Sequence, residues 1–298
     1  MKKLQIASLA MVLPILFGCG SIPFDLGTWA PSASTQAYSV ERFSLPGPVN
    51  GVLAKIDLGN PRVNVEVTLA DNHDPDGAGP CVGQMEVPSV VARQHAYQIA
   101  INASFFASPH ARDFDGKKLV YFVGNCGYPE GWHYSAGRLI SSPVKENLRA
   151  TMIVHRDGRV TLRDGVMALP SDTSYAVSGN AMILADGMLT KSATDVIRHP
   201  RSAVGISADG RTLFLAAVDG RQEGHSRGMT LGELAKFFQM IGAAGAINLD
   251  GGGSTAIVVR DPASGVHVVA NQPSDQSLAG LPVRAERPVI DVVGVVVK

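Results

Sequence analysis

Apolar and polar residues alternate over much of this chain, and that pattern predicts a protein built mainly of strands. Val63, Val65 and Val67 alternate with Asn64 and Glu66, the period-2 signature of a half-buried strand. Val52–Leu58 is strand-like, Gln98–Asn102 reads as a buried strand, and Val289–Val297 is apolar enough to be covered on both faces. Asp157-Gly158, Asp186-Gly187 and Asp209-Gly210 each sit between apolar runs. Asp-Gly readily takes the positive φ of a two-residue hairpin turn, so each pair predicts a hairpin. Two segments depart from this pattern. Val87–Tyr97 looks helical. Thr230-Leu231-Gly232-Glu233 is a capping box, after which Leu231, Leu234, Ala235, Phe238 and Ile241 share one helical face, with Gly242 as the stop. The chain then enters a strand at Ala246–Leu249, turns through Asp250–Gly253 and leaves as Thr255–Val259; a turn at Asp261–Gly265 leads into Val266–Ala270. Hairpins with a few helices, without strict strand–helix alternation, predict an α+β fold: a mixed, largely antiparallel sheet core.

The N-terminus follows a different rule. Met1-Lys2-Lys3 is basic, and Leu4–Phe17 is apolar apart from Gln5 and Ser8, too short to span a bilayer. Residues 1–18 are therefore expected to be a secretory signal. Its ending, Leu16-Phe17-Gly18-Cys19, resembles the bacterial lipobox, whose cysteine is diacylated, although Phe17 is bulkier than usual there. Cys19 is the expected lipidation site, residues 19–37 a Ser/Pro-rich tether, and residues 38–298 the folded domain. These features predict a lipoprotein of the bacterial cell envelope, held to the bilayer by its N-terminal lipid on the periplasmic or cell-surface side. With Cys19 lipidated, Cys81 and Cys126 form an even pair in an oxidising compartment and are expected to be bridged. Hydrophobic content of 45% against 17% charged supports a sizeable core. A formal net charge of zero argues against nucleic acid as the partner.

Candidate chemistry concentrates late in the chain. Three consecutive glycines between two apolar strands, Gly251-Gly252-Gly253, are entropically unfavourable unless the backbone needs positive φ or close approach to a ligand. Bare amides in such a turn form an anion cradle, to which Ser254 and Thr255 add hydroxyls and Asp250 a carboxylate. The turn alone reads equally well as a tight bend with Asp250 as turn former. Asp219-Gly220-Arg221, at the end of the Leu213–Val218 run, puts a carboxylate and a guanidinium on one side of a strand end. Arg221 there suits bidentate phosphate binding, though a structural ion pair would have the same sequence. Arg201 is a further candidate cation, and Glu223 and His225 are secondary candidates in the polar loop that follows. Asn72-x-Asp74-x-Asp76-Gly77 faintly echoes a calcium loop, but Gly83 stands where the bidentate Glu belongs, so a plain solvated loop is expected. Ser142-Pro143-Val144-Lys145 fits S-x-x-K without the partner motifs of a penicillin-interacting serine hydrolase. No His/Cys metal spacing and no cofactor motif is visible; a divalent metal near the carboxylates is left open.

Seven segments in order resemble the phosphodiester glycosidase family. They are Asn102-Ala103-Ser104-Phe105-Phe106, His199–Gly205, Val218–Arg221, Gly228–Leu231, Asn248–Thr255, Asn271–Asp275 and Arg284–Pro288. They cover roughly Ile99 to Val297. Ala103, where glycine is common, and Ser202, often threonine, depart slightly, and Gly116–Trp132 has no counterpart. The resemblance implies hydrolysis of a sugar-phosphate diester at the anomeric carbon, releasing sugar and a phosphomonoester from envelope or extracellular glycans. Asp250 or Asp219 would serve as nucleophile or water-activating base. Arg201, Arg221, Asn102, the turn Gly251–Thr255, Asn271 and Arg287 would bind substrate. The competing expectation is a surface-anchored phosphoglycan- or carbohydrate-binding lipoprotein that kept the fold without turnover.

Overall fold

Every strand pairing found is antiparallel in this structure, a computed structural model that describes residues 37–74, 76, 77, 79–108, 121–147, 149–275 and 285–298. Cys19, the signal segment, nearly all of the tether, Gly116–Val120 and Arg284 lie outside the described residues. A seven-stranded sheet runs, in spatial order, Tyr38–Leu45, Val49–Asp57, Thr212–Val218, Arg201–Ser207, Ala243–Asn248, Ala181–Ala185 and Met188–Leu189. A five-stranded sheet is ordered His267–Val269, Ile257–Arg260, Ile99–Asn102, Asp291–Val297 and Val63–Leu69. A second five-stranded sheet comprises Val160–Arg163, Thr151–His155, Thr173–Ser178, His133–Ser135 and Arg138–Ser141. Three short strands, Gly83–Gln84, Cys126–Pro129 and Phe106–Ala107, make a small fourth sheet. The expected antiparallel sheet core with few helices is what forms.

Alternation within the strands explains the layers. Val52, Ala54 and Ile56 face a central core shared with Val204, Leu213, Leu215, Ile247, Ile99, Ile101, Val293 and Val295. The intervening Leu53, Ala203, Phe214, Ala216 and Ala246 face outward and are covered by Leu234, Ala235, Phe237 and Phe238 of the helix Leu231–Met240. The opposite face of the Ile99–Asn102 sheet is covered by Val91 and Ala92 of the helix Pro88–Gln94, together with Tyr97. Strands buried on both faces therefore read as continuous apolar runs.

Local signals hold at most boundaries. Thr230 Oγ1 accepts from Glu233 N at 3.1 Å while Glu233 Oε2 accepts from Thr230 N at 2.9 Å, completing the capping box. Asp186 and Gly187 take φ of 48° and 73° in their hairpin, as a primed turn requires. The helix expected over Val87–Tyr97 is shorter, Pro88–Gln94, because Ala96 at φ 54° turns the chain into the next strand. Cys81 and Cys126 are bridged, with Cα atoms 5.6 Å apart, closing a separation of 45 residues. Such a loop is worth about 4 kcal/mol on the chain-entropy model. In the Asn72–Gly77 loop the Asp74 carboxylate accepts from its own Asp76 and Gly77 amides, as in an ordinary solvated turn. Among the described residues, no helix is long and apolar enough to cross a membrane.

Candidate active site

Two sheets meet at one point of the chain. Asn248 ends a strand of the seven-stranded sheet and Ile257 begins a strand of the neighbouring one, so Asp250–Thr255 crosses between them. Asn102, fully buried at the end of its own strand, pins this crossing. Its Nδ2 donates to the Asp250 carbonyl at 2.7 Å, and its Oδ1 accepts from Ser202 Oγ at 2.6 Å and Ala256 N at 3.1 Å. Asp250 N donates to Ala103 O at 2.9 Å. A buried amide that fills its bonds this way orients its neighbours, which explains its place in the sequence motif.

Three amides of the glycine turn are taken up within the chain. Gly252 N donates to Pro200 O at 2.9 Å, and Ser254 N and Thr255 N donate to the Gly251 and Gly252 carbonyls at 3.3 Å each. What the glycines supply is room. A Cβ on Gly251 would lie 2.6 Å from Pro200 O, one on Gly252 3.2 Å from Nη1 and Nη2 of Arg221, and one on Gly253 2.2 Å from Nη2 of Arg287. Gly252 also takes φ 63°. Two guanidiniums therefore lie against adjacent glycines.

Each guanidinium is held from behind. Arg221 Nη2 donates to His199 Nδ1 at 3.0 Å. Burial, then the Arg201 and Arg221 charges, hold His199 below the usual imidazole range, so the ring is neutral and accepts. Arg221 itself takes φ 57°, a conformation costing roughly 1 kcal/mol for a residue with a side chain. Arg287 pairs through Nε with Asp275, and its plane lies 3.8 Å over the Tyr121 ring.

Asp250 is half-buried beside these cations. Burial pushes its carboxyl up to about 7, opposed by the Ser254 hydroxyl and the Arg287 charge and reinforced by the negative charge of Asp291. Ser254 Oγ adjoins the carboxyl without the geometry of a full hydrogen bond. Together with Thr255 Oγ1 and Asn248 Oδ1 it is buried without a partner. Three such atoms on one turn are costly unless a ligand or water meets them.

Asp219 has the opposite character. Its Oδ1 accepts from Gln272 N at 2.8 Å and Asn271 Nδ2 at 3.2 Å, and its Oδ2 faces His225 Nε2 at 2.8 Å. Burial raises its carboxyl, and the bonds from His225, Gln272 and Asn271 oppose that rise. Asn271 also accepts from Ile257 N at 2.8 Å and donates to Thr255 O at 3.1 Å, tying Asp219 to the far end of the turn. Arg201 is buried, with its Nε occupied by Met229 O at 2.9 Å and its Nη2 by Asp195 at 2.8 Å and Ile197 O at 2.9 Å. Glu223 is exposed on the loop.

Sequence reasoning passed over a second buried carboxylate. Asp291 accepts from Ser104 N and Ser104 Oγ, both at 2.7 Å, and faces His133 Nδ1 at 2.8 Å. The signal was present: an acid heading the strand Asp291–Val297, which is otherwise buried and apolar, has to be paired. His199 and Tyr121 carried no such signal, since only the fold brings them to Arg221 and Arg287. Among the described residues the grouping with metal-ligand spacing is Asp76, Cys81 and Cys126, and its two sulfurs are bonded to each other.

The chain is thus an antiparallel protein that places a carboxyl and two guanidiniums at a sheet junction. A model of the NAGPA phosphodiester glycosidase family matches residues 95–296, and the chain belongs to that family. Among solved structures it is similar to the zebrafish N-acetylglucosamine-1-phosphodiester alpha-N-acetylglucosaminidase catalytic domain auto-inhibited by its pro-peptide. That match has 22% identity, covers 91% of this chain and 88% of that one, and has a TM-score of 0.63. A putative exported protein from Burkholderia pseudomallei aligns at 16% identity over 84% of this chain and 74% of that one, with a TM-score of 0.57. A hypothetical protein from Synechocystis aligns at 16% identity over 88% and 62%, with a TM-score of 0.53. At these identities the structural likenesses speak for the fold. Among curated proteins nothing matches by sequence.

Proposed function

We propose that the protein hydrolyses a sugar-phosphate diester at the anomeric carbon, with Asp250 as the reacting carboxyl and Arg221 and Arg287 gripping the phosphate. The observation that carries this reading is the pair of guanidiniums packed on Gly252 and Gly253 beside a half-buried carboxyl raised to about 7. A phosphodiester lying over the turn would meet both cations. In the reaction, water bonds to the anomeric carbon while Asp250 takes its proton. The bond from that carbon to the phosphate oxygen breaks, and the electron pair leaves with the phosphomonoester, whose charge the two arginines stabilise. A phosphate leaving group needs little acid assistance, and a carboxyl near 7 is a stronger base than an ordinary carboxylate. Asp219 orients His225 and is tied to the turn through Asn271. Asn102 and Asn271 hold the turn in place.

Glycans of the bacterial envelope are the substrate source this reading favours, reached from a membrane anchor at Cys19; the basic and apolar N-terminal run and the Leu-x-Gly-Cys ending support that placement. The test is incubation with glycosyl-phosphodiesters, including teichoic-type and phosphoglycan polymers, with free sugar as the readout. Release of sugar and phosphomonoester, lost in Asp250→Asn, is expected. Tight binding without release by the wild-type chain would sink the enzymatic reading in favour of a phosphoglycan-binding lipoprotein.

A further inference from the structure

Behind the glycine turn lies a fully buried polar network that the reaction does not touch. Asp291, Ser104 and His133 are each almost wholly inaccessible to solvent. They come from three parts of the fold: the head of the strand Asp291–Val297, the residues after Ile99–Asn102, and the strand His133–Ser135. Asp291 has two donors from Ser104 and faces His133 Nδ1. His133 Nε2 has no partner. A carboxylate this deep costs several kcal/mol of hydration and is kept where its position matters.

Its position is set by Ala103. The Ala103 amide donates to the Asp291 carbonyl at 3.3 Å, and the Ala103 carbonyl accepts from Asp250 N at 2.9 Å. One residue thus joins the backbones of both aspartates. Asp291 is wholly buried and Asp250 half-buried, so their mutual repulsion is screened less than between two exposed groups. The charged groups around Asp250 are Arg287 and Arg221 on the solvent side and Asp291, with His133 beyond it, on the interior side.

We infer that Asp291, braced by Ser104 and His133, is a positioning residue whose buried negative charge holds Asp250 in a proton-exchanging state against the two arginines. Without it, burial alone would oppose the Arg287 charge, and Asp250 would give up its proton more readily and be a weaker base for water. The negative charge of Asp291 acts on Asp250 in this direction. The inference rests on Asp250 being the reacting carboxyl, and its test needs no turnover.

The experiment follows the Asp250 carboxyl carbon by NMR titration of the full chain labelled at aspartate Cγ, with the resonance assigned by its loss in Asp250→Asn. Wild type should titrate near 7. Asp291→Asn should move the midpoint to lower pH by about one unit, the scale of a nearby like charge. Ser104→Ala keeps the charge, and should leave the midpoint where it was. If Asp291→Asn fails to fold, Asp291→Asn with His133→Gln removes both members of the buried pair, which proteins tolerate better than loss of one. It should show the same downward shift. An unchanged midpoint in either folded variant, or an equal shift in Ser104→Ala, overturns the inference. A shifted midpoint in a protein that releases no sugar would instead leave the coupling of the two carboxyls intact and refute the hydrolytic reading on which its catalytic use rests.

Discussion

Asp250 and Asp219 stand just past strand ends of the same sheet, on the same side of the molecule, and the fold treats them in opposite ways. Asp219 is 4% exposed and has a donor or imidazole at both oxygens. Asp250 keeps some access to solvent, faces a hydroxyl that makes no full bond, and sits where burial and a second carboxylate favour its proton. The arginines divide in the same way. Arg201 is occupied at Nε and Nη2 by two carbonyls and Asp195, whereas Arg221 and Arg287 rest against glycines of the turn. A satisfied group holds a structure together, and a group left short of partners is available for chemistry.

Substitutions can break that comparison, and the largest effect should come from the unsatisfied carboxyl. Asp250→Asn is expected to lower kcat by about 10³-fold, the range for losing a positioned base, with the fold kept. Asp219→Asn should cost less activity, about tenfold to a hundredfold, accompanied by a lower melting temperature from disturbing a buried bonded carboxylate. Equal kinetic losses in both, with both folds intact, would erase the distinction. The arginines give the next contrast. Arg287→Lys or Arg221→Lys should raise KM about tenfold while thermal stability stays near wild type. Arg201→Met should leave Asp195 and two carbonyls without their donor and destabilise by about 3 kcal/mol, read by denaturant titration.

Stability against pH sharpens the comparison further. Asp250 binds its proton more tightly when folded, with a carboxyl near 7 against about 4 in the unfolded chain. Its favourable contribution is complete below about pH 4 and is lost as pH rises through 7. Asp250→Asn should therefore melt higher than wild type at pH 8, by a gain of about 2 kcal/mol, and show no gain at pH 4. Thermal melts at the two pH values decide this, and a gain at pH 4 alone would contradict the sign. The smallest effect belongs to Glu223, exposed on the loop beside Asp219. Glu223→Ala should leave kcat/KM within about twofold, as an exposed side chain away from bonded networks does.

Much of the scaffold could be read before folding, because it rests on local rules. The Thr230 capping box, the Asp-Gly hairpins and the alternation at Val63–Val67 depend on neighbours a few residues away, and each is realised. Boundaries slipped where a distant contact or a backbone turn decided them, as at Ala96. The motif segments named Asn102, Asp219, Arg221, Asp250, Asn271 and Arg287, and all six come together around one turn. Their division of labour was not readable. Asp219 and Asp250 look alike in sequence, and the carboxylate bonds that distinguish them come from residues up to 53 positions away.

Sequence alone marked Gly251–Gly253 as either a tight bend or a place of close approach, because three ordered glycines are entropically costly. Only the tertiary structure decided what approaches. The amides of Gly252, Ser254 and Thr255 donate to carbonyls of the chain, and the room left at Gly252 and Gly253 is taken by Arg221 and Arg287. Proximity across strands that are far apart in sequence is set by sheet register and core packing. For that reason the residue types were visible from the start, while the charges that face one another were not.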